Sequence, residues 1–404
     1  MSETRNKSFS TACIHAGQKK DENRAHLTPI YASSTFTMDN AQYGADLFTG
    51  KQKGYVYGRF GNPNTNEVED KIAALETHGL DLEAKAILHA SGMAAITTVV
   101  LATMATGQKV LSHFSLYGGT QELVDKVLPP MGIQSILIDF KDLQKVEDTL
   151  KNDDTIAIIY IETPANPTLG CVDIKALCDL AKKYQVKTIC DNTFATPYLQ
   201  QPFALGVDFI IHSTTKYLNG HGTAIGGILI GRDLEFMNAK ATKFNRLLGA
   251  NGNAFDAFLL ITGVKTLALR MEKHCSNAER LAEFLNSHSA VSKVNYLGLS
   301  EHADFAIANK QMKHAGGMMS FEVKGGLEAG RIFIDSLQLC VHAVSLGTLD
   351  TLVSHPASTT HFGVSSEIKE KSEITEGLIR VSVGLEEVND IIDDFNQALN
   401  LCMQ

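Results

Sequence analysis

The sequence predicts an α/β fold: a mostly parallel sheet with flanking helices, followed by a smaller C-terminal α+β domain. Between Ala86 and Ile230, short apolar runs alternate with helix-like stretches, which is the pattern of parallel strands joined by crossover helices. After about Phe255 the alternation stops and one long helical pattern takes over. At 404 residues the chain is also longer than one hydrophobic core usually supports. The expected division is an extended N-terminal segment over 1–62, a large domain over 63–254 and an α+β domain over 255–404.

Residues 1–62 have little periodicity and many turn formers, among them Thr28-Pro29, Gly50, Gly54, Gly58 and Gly61-Asn62-Pro63. Such a segment suits wrapping over another surface better than folding alone. From Asn66, the spacing of Val68, Ile72 and Leu75 gives a helix with one apolar face. Strand-like runs follow at Ala86–Leu88, Lys109–Leu111, Ile136–Ile138, Ile156–Ile161, Thr188–Cys190, Phe209–Ile211 and Ile228–Ile230, with a helix-like stretch at Ile174–Tyr184. Beyond these come the helical pattern Leu269–Leu285, the strand-like runs Ser320–Val323 and Ile379–Val383, and a last helix near Asp390–Leu401. No internal repeat is visible.

Apolar residues make up 44% and charged residues 20%, as expected of a globular chain rather than a disordered one. The net charge of −9 and the lack of any Lys/Arg-rich run exclude a nucleic-acid partner. The stretch Ala94–Ala105 is interrupted by threonines and too short to span a bilayer. Met1–Lys7 is polar, without the apolar region of a secretory signal. Seven cysteines without a Cys-x-x-Cys pair favour reduced thiols, so a cytoplasmic protein is expected.

Two strand-like runs end in groups that carry chemistry. One ends at Asp191 and the other runs through His212-Ser213-Thr214-Thr215 to Lys216. Ligands of open α/β sheets bind at strand ends. An amine and a carboxylate brought to one such edge point to pyridoxal 5′-phosphate: Lys216 would form the Schiff base and Asp191 would keep the pyridinium nitrogen protonated. Most lysines are solvated, but this one leaves the core with no surface turn before it, and partial burial makes an amine a better nucleophile. Ser91-Gly92-Met93 opens a helix-like run after a strand. It is either an ordinary N-cap or a phosphate cradle, with Ser213 and Thr215 close enough to share the task. Tyr117, in a Gly-rich turn, is either half-buried packing or a ring stacked on a planar ligand. Arg380 lies within an apolar strand, either in a salt bridge or holding a ligand carboxylate. No dinucleotide fingerprint, Walker loop or Gly-x-Ser-x-Gly elbow occurs. His355 and His361 lack metal-ligand spacing, so no metal is expected.

The segments Tyr57-Gly-Arg59 with Gly61-Asn-Pro63, Ser91–Ala94, Glu162-Thr-Pro-Ala-Asn-Pro167, Asp191-Asn-Thr193, His212–Lys216 and Arg380–Leu385 together span nearly the whole chain. They resemble the cysteine/methionine-metabolism family of pyridoxal-phosphate enzymes. The resemblance implies the aspartate-aminotransferase type of fold (fold type I) and a homotetramer built from two dimers with shared active sites. It implies that Tyr57 and Arg59 reach a neighbouring subunit's cofactor phosphate. Asn166 would contact the cofactor ring hydroxyl and the substrate carboxylate, and Ser345 would contact that same carboxylate.

Within the family, the stretch from Gly263 to Gly384, including Val344, looks most like the methionine γ-lyases. Glu122, near the place of the distal substrate head in cystathionine-cleaving relatives, argues against a second carboxylate on the substrate. The sequence departs from the methionine γ-lyase pattern at Gly119, where many have a cysteine, and at Asn245 and Arg246, in place of lysine and aspartate. Asn64 replaces the threonine usual after Asn-Pro. The implied activity is γ-elimination on methionine or homocysteine, with Lys216, Tyr117 and Asp191 as catalytic groups. γ-Replacement on an acylated homoserine, cystathionine cleavage and simple transamination are the rivals.

Overall fold

The computed structural model describes residues 7–19, 21–359 and 374–403. The N-terminal stretch is more regular than its sequence predicts, because it carries helices α1 (Phe9–His15) and α2 (Ala41–Phe48). At seven and eight residues, each makes only about two turns, too few for apolar periodicity to stand out. Side-chain caps start them: Ser8 accepts from the Thr11 N–H and Asn40 from the Tyr43 N–H.

Helix α3 spans Pro63–Glu76, starting three residues before Asn66, where the sequence pattern predicts its onset. Asn62 and Thr65 form a reciprocal capping box, and Pro63 occupies the first turn, where no N–H is needed. This helix ties down the segment before it. Asn64 accepts from the Tyr31 N–H and donates to the Pro29 carbonyl, both at 2.9 Å. Lys71, only 1% exposed, donates to the Cys13 and Ile14 carbonyls at 3.1 Å, and burial lowers its pKa to about 8.

The first sheet has strands β1 (Lys85–His89), β2 (Lys109–His113), β3 (Gln134–Ile138), β4 (Ile156–Glu162), β5 (Lys187–Asp191), β6 (Phe209–Ser213) and β7 (Gly227–Gly231). Their spatial order is β1-β7-β6-β5-β4-β2-β3. Strand β7 runs antiparallel to both neighbours, and the other pairings in this sheet are parallel. The apolar run Ile228–Ile230 identifies that strand but carries no information about its direction. β1, β4, β5 and β6 therefore end at one edge, where Glu162 pairs with Asp191 and Asp191 with Ile211. Helix α4 (Gly92–Thr103) begins at that edge, just after β1. Crossover helix α5 (Ile174–Lys183) matches its predicted span.

Helices α6 (Ala254–Val264) and α7 (Leu267–Ser287) lead to a second sheet. Its strands are β8 (Val291–Asn295), β9 (Met318–Val323), β10 (Val341–His342), β11 (Leu352–Ser354) and β12 (Leu378–Ser382), in the order β10-β11-β12-β9-β8. Helix α8 (Val388–Leu401) closes the chain. Within β12, Ile379 and Val381 join the apolar core, so by strand alternation Arg380 faces the other way. One buried apolar cluster includes Ala12, the first sheet, α7, the second sheet and Leu399.

Gly227 opens β7 where the backbone of Ser91 crosses it, and a Cβ there would lie 2.1 Å from the Ser91 carbonyl oxygen. Gly227→Ala is expected to destabilise the protein by roughly 2–3 kcal/mol. Gly118→Ala, whose methyl would meet open space, should leave the calorimetric Tm unchanged. Equal Tm values for the two variants would refute the close approach.

Candidate active site

A cavity of about 270 Å³ lies at the edge where β1, β4, β5 and β6 end. After β6 the chain turns sharply, and the Lys216 N–H donates to the Ser213 carbonyl at 3.2 Å. The Thr215 hydroxyl accepts from the Gly226 N–H at 3.0 Å, fixing the turn against the start of β7. From the opposite side the loop at Ser345–Gly347 presses on Lys216 and Tyr217. Gly347 has φ +75°, and a Cβ there would lie 2.6 Å from the Tyr217 nitrogen, so glycine is required twice over. The Lys216 amine donates to the Ser345 hydroxyl at 3.0 Å. Burial, and then the Arg380 charge, lower its pKa to about 8.

Asp191, at the tip of β5, accepts from both the backbone N–H and the hydroxyl of Thr193. The Tyr160 hydroxyl donates to its other oxygen at 3.4 Å. Glu162 stands beside it at the end of β4, and its carboxylate accepts from the Tyr117 N–H at 2.8 Å. Burial raises the pKa of both acids, and the Asp191 charge raises Glu162 further.

Ser91 caps α4 by accepting from the Ala94 N–H at 3.1 Å. It is thus an N-cap, and it also lines the cavity together with Gly92 and Met93. Gly92 packs on Ser213, whose Cβ would be 3.0 Å from any side chain at 92. Tyr117 stands at the cavity mouth, half exposed, over Gly119. A Cβ at Gly119 would lie 2.7 Å from the Tyr117 ring and 3.1 Å from the Met93 sulfur. Arg380 reaches in from the second sheet, donating to Asn166 Oδ1 at 3.2 Å and to the Ser345 carbonyl at 2.9 Å. Its Nε is buried without a hydrogen-bond partner, and burial lowers its pKa to about 10.

Of the residues read from sequence, Ser91, Gly92, Met93, Tyr117, Asn166, Asp191, Ser213, Thr215, Lys216 and Arg380 line this one cavity, and Ser345 backs it. Tyr57 and Arg59 do not line it. Arg59 donates to the Arg246 carbonyl at 2.8 Å, and Arg246 donates to the Phe60 carbonyl at 2.6 Å, beside a different cavity. Glu122 also lies outside, paired on the surface with Lys126 at 3.0 Å. The ring nitrogens of His355 contact Ser358 and the Glu376 carbonyl; His361 lies outside the described residues. Sequence reasoning gave no role to Glu162, Thr193, Phe194, Ile225 or Leu346. Glu162 and Thr193 had a readable signal, because each stands in a motif with an expected site residue. The three apolar residues had none, since loop hydrophobes are common on any surface.

This set fits pyridoxal 5′-phosphate. It offers a partly buried amine of lowered pKa for the aldehyde and a partly buried carboxylate for the ring nitrogen. It also offers a twelve-residue helix N-terminus with adjacent hydroxyls for the phosphate, and an orphaned guanidinium N–H for a substrate carboxylate.

Comparison with known proteins agrees. The family described as "Cys/Met metabolism PLP-dependent enzyme" matches residues 10–400. An L-methionine gamma-lyase of Porphyromonas gingivalis is 42% identical over 97% of this chain and 97% of its own. The structure of cystathionine gamma synthase from Xanthomonas oryzae pv. oryzae, in complex with aminoacrylate and cysteine, superposes with a TM-score of 0.91. It is 34% identical and covers 98% of each chain. A structure from Campylobacter jejuni described as an O-acetylhomoserine (thiol)-lyase holds N′-pyridoxyl-lysine-5′-monophosphate. It has a TM-score of 0.91 and 35% identity, covering 97% of this chain and 100% of that one. A cavity built for a lysine-bound cofactor, with this likeness along the full chain, leads to one conclusion: the chain belongs to the Cys/Met metabolism family of PLP-dependent enzymes.

Proposed function

We propose that the chain is a carbon–sulfur lyase that performs γ-elimination on methionine or homocysteine. With one water consumed, the products are methanethiol or hydrogen sulfide, 2-oxobutanoate and ammonia. One observation carries this reading beyond the family. The only lysine and arginine lining the cavity, among the described residues, are Lys216 and Arg380, and the rest of the wall includes Met93, Ile96, Phe194, Ile225, Val344 and Leu346. One fixed cation beside an apolar wall suits a substrate with a single carboxylate and a thioether or thiol tail. The full-length likeness to a methionine gamma-lyase supports the same reading.

When bound, pyridoxal phosphate supplies the electron sink for carbanion chemistry. In this reading Lys216 would hold its aldehyde, and the same side-chain amine would take the substrate Cα proton and move protons along the chain. Asp191 holds the ring nitrogen, while Gly92, Met93 and the hydroxyls of Ser213 and Thr215 hold the phosphate. Arg380 and Asn166 clamp the substrate carboxylate, with Ser345 behind them. Tyr117, at the mouth, gives its proton to the departing sulfur.

Tyr57 and Arg59 would serve a neighbouring subunit's cofactor phosphate in a homotetramer of two dimers. Their place outside their own chain's cavity supports this. Residues 1–62 would then act as the arm of a 63–254 cofactor domain, with 255–404 carrying the clamp. A cytoplasmic setting in sulfur amino-acid metabolism and transsulfuration completes the proposal. No helix among the described residues is long and apolar enough to cross a membrane.

γ-Replacement is the second reading, supported by the closely similar backbone of a cystathionine gamma synthase. Purified holoenzyme assayed with methionine, homocysteine, cystathionine and O-acetylhomoserine, with and without sulfide, separates the two. 2-Oxobutanoate and thiol from methionine without sulfide are expected. Homocysteine formed only from O-acetylhomoserine plus sulfide would overturn the lyase assignment.

Only a neutral amine attacks an aldehyde, and Lys216 is an ammonium below a pKa of about 8. Cofactor binding to apoprotein, followed by visible absorbance, should therefore quicken as pH rises through about 8 and level off above it. Lys216→Ala should show no such absorbance at any pH, and a flat profile in the parent protein would count against the assignment. Arg380→Ala should raise KM for the amino acid by about 100-fold, the loss of a charge-assisted pair, with a smaller change in kcat. An unchanged KM would remove Arg380 from the substrate clamp.

A further inference from the structure

Behind the cavity, on the other face of β5 and β6, lies an acid–base pair to which none of the steps above gives work. Glu76, the last residue of α3, and His212, in β6, are both 0% exposed, and His212 Nε2 lies 2.5 Å from Glu76 Oε1. The same carboxylate oxygen accepts from the Asn192 side-chain amide at 3.0 Å. Asn192 directly follows Asp191, and its backbone N–H donates to the Ile211 carbonyl at 2.9 Å. Gln200 donates to Asn192 Oδ1 at 3.0 Å and closes the group.

A mere filler of this space would be apolar. Dry acid–base pairs are costly to bury, and hydrophobic replacements of similar volume are often at least as stable. This pair also leaves two atoms without partners, His212 Nδ1 and Glu76 Oε2. Its position gives it an electrical task. The imidazole sits one residue beyond Ile211, the register partner of Asp191, and the carboxylate lies farther back on the helix. With the imidazole protonated, the positive end of the pair is the end nearer Asp191.

We propose that Glu76 and His212 are positioning residues for Asp191, holding its carboxylate in place and ionised beneath the cofactor ring nitrogen. Asn192 supplies the mechanical link and His212 the electrical one. This rests on the reading that Asp191 meets the ring nitrogen. The opposing influence on Asp191 is its burial, which favours the protonated acid. The His212 charge acts the other way, as do the Thr193 hydrogen bonds. The titratable groups around the pair are Glu76 from α3, Cys190 and Asp191 from β5 and His212 itself. On the cavity side the charged groups, among the described residues, are Glu162 from β4, Lys216 and Arg380 from β12.

Holoenzyme loaded with pyridoxal phosphate carrying ¹⁵N in its ring tests the idea, because the ¹⁵N shift reports whether that nitrogen is protonated. In His212→Gln and in Glu76→Gln the midpoint for losing the ring proton should fall by about one pH unit, a tenfold change. The double variant should fall no further than either single one. A purely structural pair would lower Tm and leave the ¹⁵N midpoint where it was, and that result in folded variants overturns the proposal. Asp191→Asn is the control. If it moves the midpoint and the other two do not, the pair has no role in tuning Asp191. If it does not, the Asp191 reading itself has failed. Should neither variant fold, neutron diffraction of the unaltered holoenzyme decides. Deuterium on both imidazole nitrogens is expected; a singly deuterated imidazole beside a deuterated Glu76 overturns the proposal.

Discussion

The site depends first on the backbone register that brings β4, β5 and β6 to a common edge. Parallel ladders fix neighbouring strands relative to one another, so the tips of these three cannot slip independently. Glu162 is thereby set opposite Asp191; burial presses both acids toward their neutral forms, and the Asp191 charge presses Glu162 further. The cations answer from two directions: Lys216 follows β6 around a tight turn, and Arg380 arrives from β12 in the other sheet. Charge balance in the cavity is therefore a property of two sheets held together.

What joins them is a short polar chain. Lys216 donates to the Ser345 hydroxyl, the Ser345 carbonyl accepts from Arg380, and Arg380 reaches Asn166 on the loop after β4. Beneath it, the apolar cluster running through α7 makes the two sheets share a core. The N-terminal arm is pinned in the same spirit. Asn64 and the buried Lys71 grip it from α3, and α3 ends at Glu76, behind Asp191. One helix thus anchors the arm and also reaches the rear of the cavity.

Much of this was legible in the sequence, and the reason is local. Lys216, Asp191 and Arg380 each interrupt or end an apolar strand, where a charged side chain needs a partner, so one residue and its neighbours suffice to flag it. The segments Ala86–Leu88 through Ile228–Ile230 were readable as strands for the same reason. The reversal of β7 was not, because an apolar pentapeptide looks alike in both directions. Helices α1 and α2 were too short for their pattern to stand out. Glu76 with His212 and Arg59 with Arg246 are pairings across more than a hundred residues, and a sequence gives no distance between them. Asn64 stood out as a departure from the family pattern; only the fold shows it holding Tyr31 and Pro29.

The solitary N–H of Arg380 has an implication for selectivity. A guanidinium kept dry and incompletely satisfied welcomes small carboxylates in general, since each would relieve the same deficit. Under the proposed function, such a clamp ranks ligands only by whether they have an acid group, and discrimination among amino acids passes to the far wall. That wall is made of side chains such as Val344 and Ile225, which stand 60% and 66% exposed. Little packing constrains them, so drift in substrate preference would cost the fold almost nothing, while the acid-recognising end stays locked by its neighbours.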